Sequence, residues 1–215
     1  VTGVDQVTLS GDQAARILDL AGVVVNRNTI PGDKSAFDPS GIRMGTHWIT
    51  QRGFKEPEVI ALADIISDVL KATTPYAIGG RKGDLRRAKV DFTVLEGAKC
   101  RVRDLALKAG FDFEPAQHGY PHFYYIDDNP KDRDWVVLQI GGERVREFVN
   151  FAFSSEVDYL QPGNSQPSIL MTPQGEIQGV LTCVDHKSYQ FTLPAGKSGL
   201  AQAWLQGLSD GYVCF

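Results

Sequence analysis

Apolar positions along the chain change period several times, and each change marks an element. Ala14, Ile17, Leu18 and Ala21 recur at helical spacing behind Ser10-Gly11-Asp12-Gln13, whose first and last members have the spacing of a capping box, and Gly22 follows as a stop. A helix is predicted there. Val23-Val24-Val25 is a β-branched run, the Asn-, Pro-, Gly- and Asp-rich stretch 26–40 reads as a long loop, and 41–50 reads as extended chain. A second helix begins near Pro57, with Val59, Leu62, Ala63, Ile66, Val69 and Leu70 as its expected buried face. Between 73 and 89 the composition turns to Pro, Gly and basic residues, including Arg81, Lys82, Arg86 and Arg87, which reads as a solvated linker.

Further on, Val102, Leu105, Ala106 and Ala109 mark another helix, and 110–133 is a looser, aromatic-bearing region. The apolar run Trp135 to Ile140 reads as a strand, Gly141-Gly142 turn the chain, and Val145, Phe148, Val149 and Ala152 form an amphipathic helix face. Two strands flank Pro173-Gln174-Gly175, another runs from Ser188 to Leu193, and a helix around Leu200 and Trp204 precedes a last strand. Helices and strands in this order imply an α+β fold. The expected domains are 1–75 and 95–215, joined by a linker over 76–94.

Composition narrows the function classes. The 215 residues are 42% hydrophobic and 22% charged, enough apolar side chain for real cores. A net charge of −4 provides no basic field, so nucleic acid and anionic membrane are not the expected partners. Three scattered cysteines argue against a disulfide framework or a thiolate metal cage, and no apolar run approaches membrane-spanning length. Small-molecule chemistry in the cytoplasm is the expectation. The chain opens at Val1 without an initiator Met and ends at Phe215 in strand-like sequence, so a fragment of a longer parent is expected.

The candidate chemistry lies in three runs: Val25-Asn26-Arg27-Asn28-Thr29-Ile30-Pro31, Ser40-Gly41-Ile42-Arg43-Met44-Gly45-Thr46, and Thr50-Gln51-Arg52-Gly53-Phe54. Their order and spacing over residues 7–70 resemble the C-terminal small domain of serine hydroxymethyltransferase, a fold-type I pyridoxal-phosphate enzyme. The resemblance implies that Arg43 binds the substrate carboxylate, for which a guanidinium offers two parallel hydrogen bonds. It implies that Asn28 contacts the pteridine of tetrahydrofolate, since an amide both donates and accepts. Each residue also has a plainer reading, Arg43 in a surface ion pair and Asn28 in an Asx-turn. His47-Trp48 stand where that family commonly has Pro-Ala, and His47, with no partner visible in sequence, reads as structural. The family's cofactor-binding lysine, stacking histidine and pyridinium-paired aspartate are not here, so pyridoxal 5'-phosphate is expected to be held by a missing large domain. No catalytic residue is assigned, and the chain alone is expected to be inactive. Serine, glycine and folate are the implied small-molecule partners, and the parent is expected to be a homodimer or higher.

In the second half, Leu138-Gln139-Ile140-Gly141-Gly142-Glu143, Ser155 to Gly163 and Ile169 to Ile177 together resemble the folate-binding fold of the glycine-cleavage T-protein, an aminomethyltransferase. That family's acidic pair falls at about Gly179-Val180, where this chain has no carboxylate, and its turn asparagine is Ser155. The two halves together suggest a one-carbon transferase fusion. The competing expectation is that the second half is a noncatalytic folate-binding or assembly module. Glu156, Asp158 and Glu176 read as solvated surface carboxylates. His118 and His122 are four apart, but Gly119 and Pro121 between them disfavour the helix a metal pair needs, so no metal site is expected. Gly79-Gly80 with Gly83 lacks the strand-to-helix setting of a dinucleotide loop.

Overall fold

A computed structural model describes residues 7–79, 85–109 and 124–214, in an α+β arrangement that divides into two compact units. The first comprises Val1–Gly119 with Tyr212–Cys214, the second Tyr120–Gly211. His118, His122, Gly80, Arg81, Lys82 and Gly83 lie outside the described residues.

In the first unit, α1 (Gly11–Leu20) begins as its capping box predicts, with the Gln13 amide nitrogen donating to Ser10 Oγ at 3.3 Å and the Gln13 side chain accepting from the Ser10 backbone at 3.2 Å. It ends with Gly22 at φ 87°, donating to Asp19 O while Val23 donates to Leu18 O, the paired bonds of a left-handed helix stop. Ala14, Ile17, Leu18 and Ala21 are buried, as their spacing requires. The expected loop 26–40 instead contains β1 (Asn26–Asn28), which pairs antiparallel with β2 (Gly41–Arg43). Three residues are too few to show a period.

The expected extended run 41–50 is also shorter, because α2 (His47–Gln51) occupies its end. Thr50 N donates to Thr46 O at 2.8 Å, and Gly53 at φ 88° lets Phe54 N reach back to Ile49 O. In α3 (Glu56–Lys71) the buried residues are Ile65 and Val69, while Ala63 is exposed and Val59, Leu62, Ile66 and Leu70 are half-buried. The face is rotated from the expected one toward Ile65.

Strands β3 (Thr73–Ile78) and β4 (Leu85–Asp91) fall inside the supposed linker, pairing antiparallel from Thr73↔Val90 to Ile78↔Leu85. Pro75 disguised this: it lacks the amide a central strand needs, but β3 is an edge strand and tolerates it. Thr73, Ala88 and Val90 are buried, so the segment is part of a core. Helix α4 (Phe92–Lys108) starts directly from β4, with Asp91 capping Val94 N at 2.9 Å. Its buried residues are Phe92, Leu95, Glu96, Ala98, Lys99 and Leu105, a longer face than the Val102-to-Ala109 stretch expected. The expected domain start at 95 therefore falls within the first turn of α4, and the contact division falls after it.

The second unit is a four-stranded antiparallel sheet in the order β5-β8-β7-β6, built from β5 (Trp135–Gly141), β6 (Ser165–Thr172), β7 (Gly175–Asp185) and β8 (Ser188–Pro194). Helices α5 (Val145–Ala152) and α6 (Ser198–Asp210) complete it. Alternation places Leu138, Leu170, Ile177, Leu181, Phe191 and Leu193 in the core, where the Phe153 and Phe191 rings meet edge-on at 4.8 Å. Asn129 Oδ1 accepts from Gly199 N at 3.0 Å, tying the start of α6 to the preceding loop. The last strand, β9 (Val213–Cys214), returns to pair parallel with β4 in the first unit.

Candidate functional site

The β1–β2 hairpin brings the two residues singled out by sequence onto one surface. Register pairs Asn26 with Arg43 and Asn28 with Gly41, so Asn26, Asn28 and Arg43 share one face while Arg27 and Ile42 share the other. Arg27 fixes which face is which, because its guanidinium bonds Asp12 of α1 at 3.2 Å. Arg43 thus projects away from that anchor and is exposed. Among the described residues its guanidinium makes no hydrogen bond or ion pair, which argues against a surface ion pair as its explanation. Asn28 donates from Nδ2 to Thr29 O at 2.9 Å, a local bond that leaves its amide oxygen unused.

Close packing holds this hairpin in place. Gly11 N donates to Pro39 O at 2.8 Å, and a Cβ on Gly11 would collide with the Gly41 carbonyl oxygen. A Cβ on Gly41 would in turn run into the Ile30 side chain and meet the Asn28 carbonyl oxygen at 3.0 Å. Only glycine at both positions lets the start of α1 sit against β2.

The loop between the strands is closed by Asp33, a role the sequence reading did not assign. One carboxylate oxygen accepts from Ile30 N at 2.9 Å and Ser40 N at 3.0 Å, and the other from Ser40 Oγ at 2.5 Å. The Ser40 hydroxyl, then the two backbone amides, hold the Asp33 carboxyl below its ordinary range. The available signal was an aspartate just after the Pro-Gly turn, followed by a serine immediately before the Gly-Ile-Arg strand. A small cleft of about 230 Å³ opens beside this loop, lined by Ser10, Asp33, Lys34, Ser35 and Arg86 among others. Arg86 is held there by Asp38 at 3.1 Å.

His47 is the exposed first residue of α2, its ring lying where a Cβ on Gly45 would touch it. It does not meet Arg43 or Asn28 across the hairpin register.

Residues 1–66 match the serine hydroxymethyltransferase family model. Among curated relatives, a probable cytosolic serine hydroxymethyltransferase of Schizosaccharomyces pombe is 50% identical over 62 residues, 29% of this chain and 13% of that protein. The serine hydroxymethyltransferase of Bombyx mori is 49% identical over 65 residues, 30% of this chain and 14% of the relative. That of Caenorhabditis briggsae is 43% identical over 100 residues, 46% of this chain and 19% of the relative. The chain therefore spans less than a fifth of the length of these relatives. The matched segment contains α1, the β1–β2 hairpin, α2 and most of α3.

In the second unit, Gly179, one of the two positions where the resemblance to the T-protein places an acidic pair, has no room for a side chain. A Cβ on Gly179 would strike the Thr192 carbonyl oxygen and come within 2.6 Å of the Phe191 ring, and Val180 beside it is exposed and apolar. Of the neighbouring acids, Asp158 accepts from Asn150 Nδ2 at 2.7 Å, and Glu156 and Glu176 are exposed. Ser155 donates from Oγ to Ser168 Oγ at 2.6 Å. Among the described residues no helix is long and apolar enough to cross a membrane, and no group of three or more His, Cys, Asp or Glu could hold a metal.

Proposed function

We propose that the first unit supplies the small-domain side of a site that interconverts serine and glycine with tetrahydrofolate in a longer parent protein. The observation that carries this is Arg43: exposed, without a partner and beside Asn28, within a segment that matches the serine hydroxymethyltransferase model. Arg43 binds the amino-acid carboxylate in a two-pronged grip and fixes which α-carbon bond stands for cleavage. Asn28 offers its amide to the folate ring, and Asp33 holds the loop that aims it.

The residues present fit the substrate but not pyridoxal 5'-phosphate. Lys99, a buried lysine of this unit, is bonded to both oxygens of Glu96 at 3.0 and 2.9 Å, so it does not serve as a cofactor anchor. When bound elsewhere in the parent, the cofactor supplies the electron sink for bond cleavage.

The test grafts residues 7–79 onto the Schizosaccharomyces pombe enzyme in place of its matching segment and measures serine cleavage. The graft is expected to be active and its Arg43→Ala form to lose at least about a hundredfold in kcat/KM, the scale of one lost positioning contact. An Arg43→Ala graft as active as the parent graft overturns the assignment.

For the second unit the favoured reading is a T-protein-like module that binds folate or assists assembly without transferring an aminomethyl group. The closed position at Gly179 supports it. Calorimetry with tetrahydrofolate, alongside an aminomethyl-transfer assay, tests it. Transfer activity overturns the noncatalytic reading, and absence of folate binding reduces the module to assembly.

A further inference from the structure

Among the described residues, one edge of the second unit's sheet carries none of the usual guards along its length. The sheet order leaves β5 and β6 as edges. β6 carries Pro167 and is capped by a bridge from Phe153 to Leu170, both ordinary ways of blunting an edge. β5, Trp135-Val136-Val137-Leu138-Gln139-Ile140-Gly141, has no proline, no charge and no bulge against β8.

Which amides point outward follows from the ladder ends. Ala195 N donates to Asp134 O at 2.8 Å and Gly142 N to Lys187 O at 3.1 Å, so even-numbered residues exchange bonds with β8. The backbone groups of Trp135, Val137, Gln139 and Gly141 therefore face away from the sheet, and none has a hydrogen-bond partner among the described residues. Beside them a groove of about 770 Å³ runs between β5 and the two helices. Helix α6 turns Gln202, Leu205, Gln206 and Ser209 to it, an uncharged stripe at helical spacing. Arg144 and Glu147, the groove's ionic residues, lie 4.0 Å apart and offset one another.

We propose that this edge pairs with the same edge of a second copy of the chain, β5 against β5 in antiparallel register, joining two sheets into one. A neutral groove selects an uncharged extended strand, and β5 itself has that composition: aliphatic side chains, one amide and one glycine. Antiparallel pairing of a strand with itself is isologous, so each copy satisfies the other's outward amides. Full overlap sets Val137 of one copy opposite Gln139 of the other, and Trp135 opposite Gly141, where its indole meets no side chain. Trp135 and Val137, 60% and 53% exposed in the single chain, are covered in the process.

Sedimentation equilibrium on the chain, with Val137→Pro and Val137→Lys, decides the matter. The proline removes an outward amide without touching a bond to β8, and the lysine places a charge on the edge. The wild-type chain is expected to dimerise and both variants to be monomers with unchanged far-ultraviolet circular dichroism. A monomeric wild-type chain, or a dimer that both folded variants preserve, overturns the proposal. Should both variants fail to fold, amide exchange of wild-type Val137 and Gln139 serves instead. Protection that rises with protein concentration supports the pairing, and protection independent of concentration assigns the edge to another segment or to solvent and overturns it.

Discussion

Asp33 accepts hydrogen bonds from both ends of the loop that separates Asn28 from Arg43, and its carboxyl is held below the ordinary range chiefly by the Ser40 hydroxyl. A depressed carboxyl stabilises the closed loop at every pH above its unfolded value, about 3.9, and loses that contribution only as pH falls through the lower folded value. The Ile30 and Ser40 amide resonances are therefore expected to stay constant from neutral pH to about 4 and to titrate together below it. Ser40→Ala should move that titration upward, toward the ordinary value, and Asp33→Asn should abolish it. Titration of the two amides at unrelated pH values would show that Asp33 does not close the loop. At this scale the candidate site was half legible. Arg43 and Asn28 stood out because their runs have a recognisable order, whereas Asp33 acts through backbone amides that leave no trace in side-chain pattern.

Elements with enough length to display a period were found as the right type, although the buried face of α3 and the start of α4 were misplaced, and short or unusually composed ones were missed. The helix behind Ser10 repeats its apolar positions over several turns, and the apolar run at Trp135 has strand length and an alternating burial. β1 and β2 have three residues each, α2 has five, and β3 hides behind its edge proline. Helix α4 shows a second kind of concealment, since two of its buried positions are Glu96 and Lys99, which a polarity pattern assigns to solvent. Burial pushes the Glu96 carboxyl up, and the Lys99 ammonium pulls the other way without cancelling the shift. Removing one partner strands the other, so Lys99→Met should cost about 3–5 kcal/mol in denaturant unfolding, while Glu96→Leu with Lys99→Met should recover most of that loss. A raised carboxyl favours the fold below its unfolded value and loses that stability as pH rises through the folded one. Lys99→Met is therefore expected to be relatively more stable at pH 5 than at pH 8, and equal stability at both would mean that Glu96 is already ionised in the folded variant at pH 5, so that burial does not hold its carboxyl up.

At the scale of the whole molecule, the first unit is discontinuous in sequence. The chain builds α1 to α4, passes through the second unit, and then returns as β9 to complete the sheet β3-β4-β9. A reading along the sequence sets boundaries where composition changes, so it divided the chain into consecutive domains and missed this return. The return is structurally real: Val90 N donates to Tyr212 O at 2.8 Å, and Val213 is 4% exposed against the core. Deleting residues 212–215 exposes the side of β4 that β9 covers and forfeits the burial of Val213, a loss of about 1.5–3 kcal/mol before any ladder bond is counted. Because β6, β7 and β8 share no strand with that sheet, the loss belongs to the first unit alone. Hydrogen exchange followed by mass spectrometry should show weaker protection in α1, α3 and α4 of the truncated chain and unchanged protection in β7 and β8. Uniform weakening would mean that the two units unfold as one, and unchanged protection in α4 would mean that β4 holds its place without β9. If the expected pattern appears, the packing of α1, against which the Arg43 hairpin rests, depends on a strand more than a hundred and fifty residues downstream.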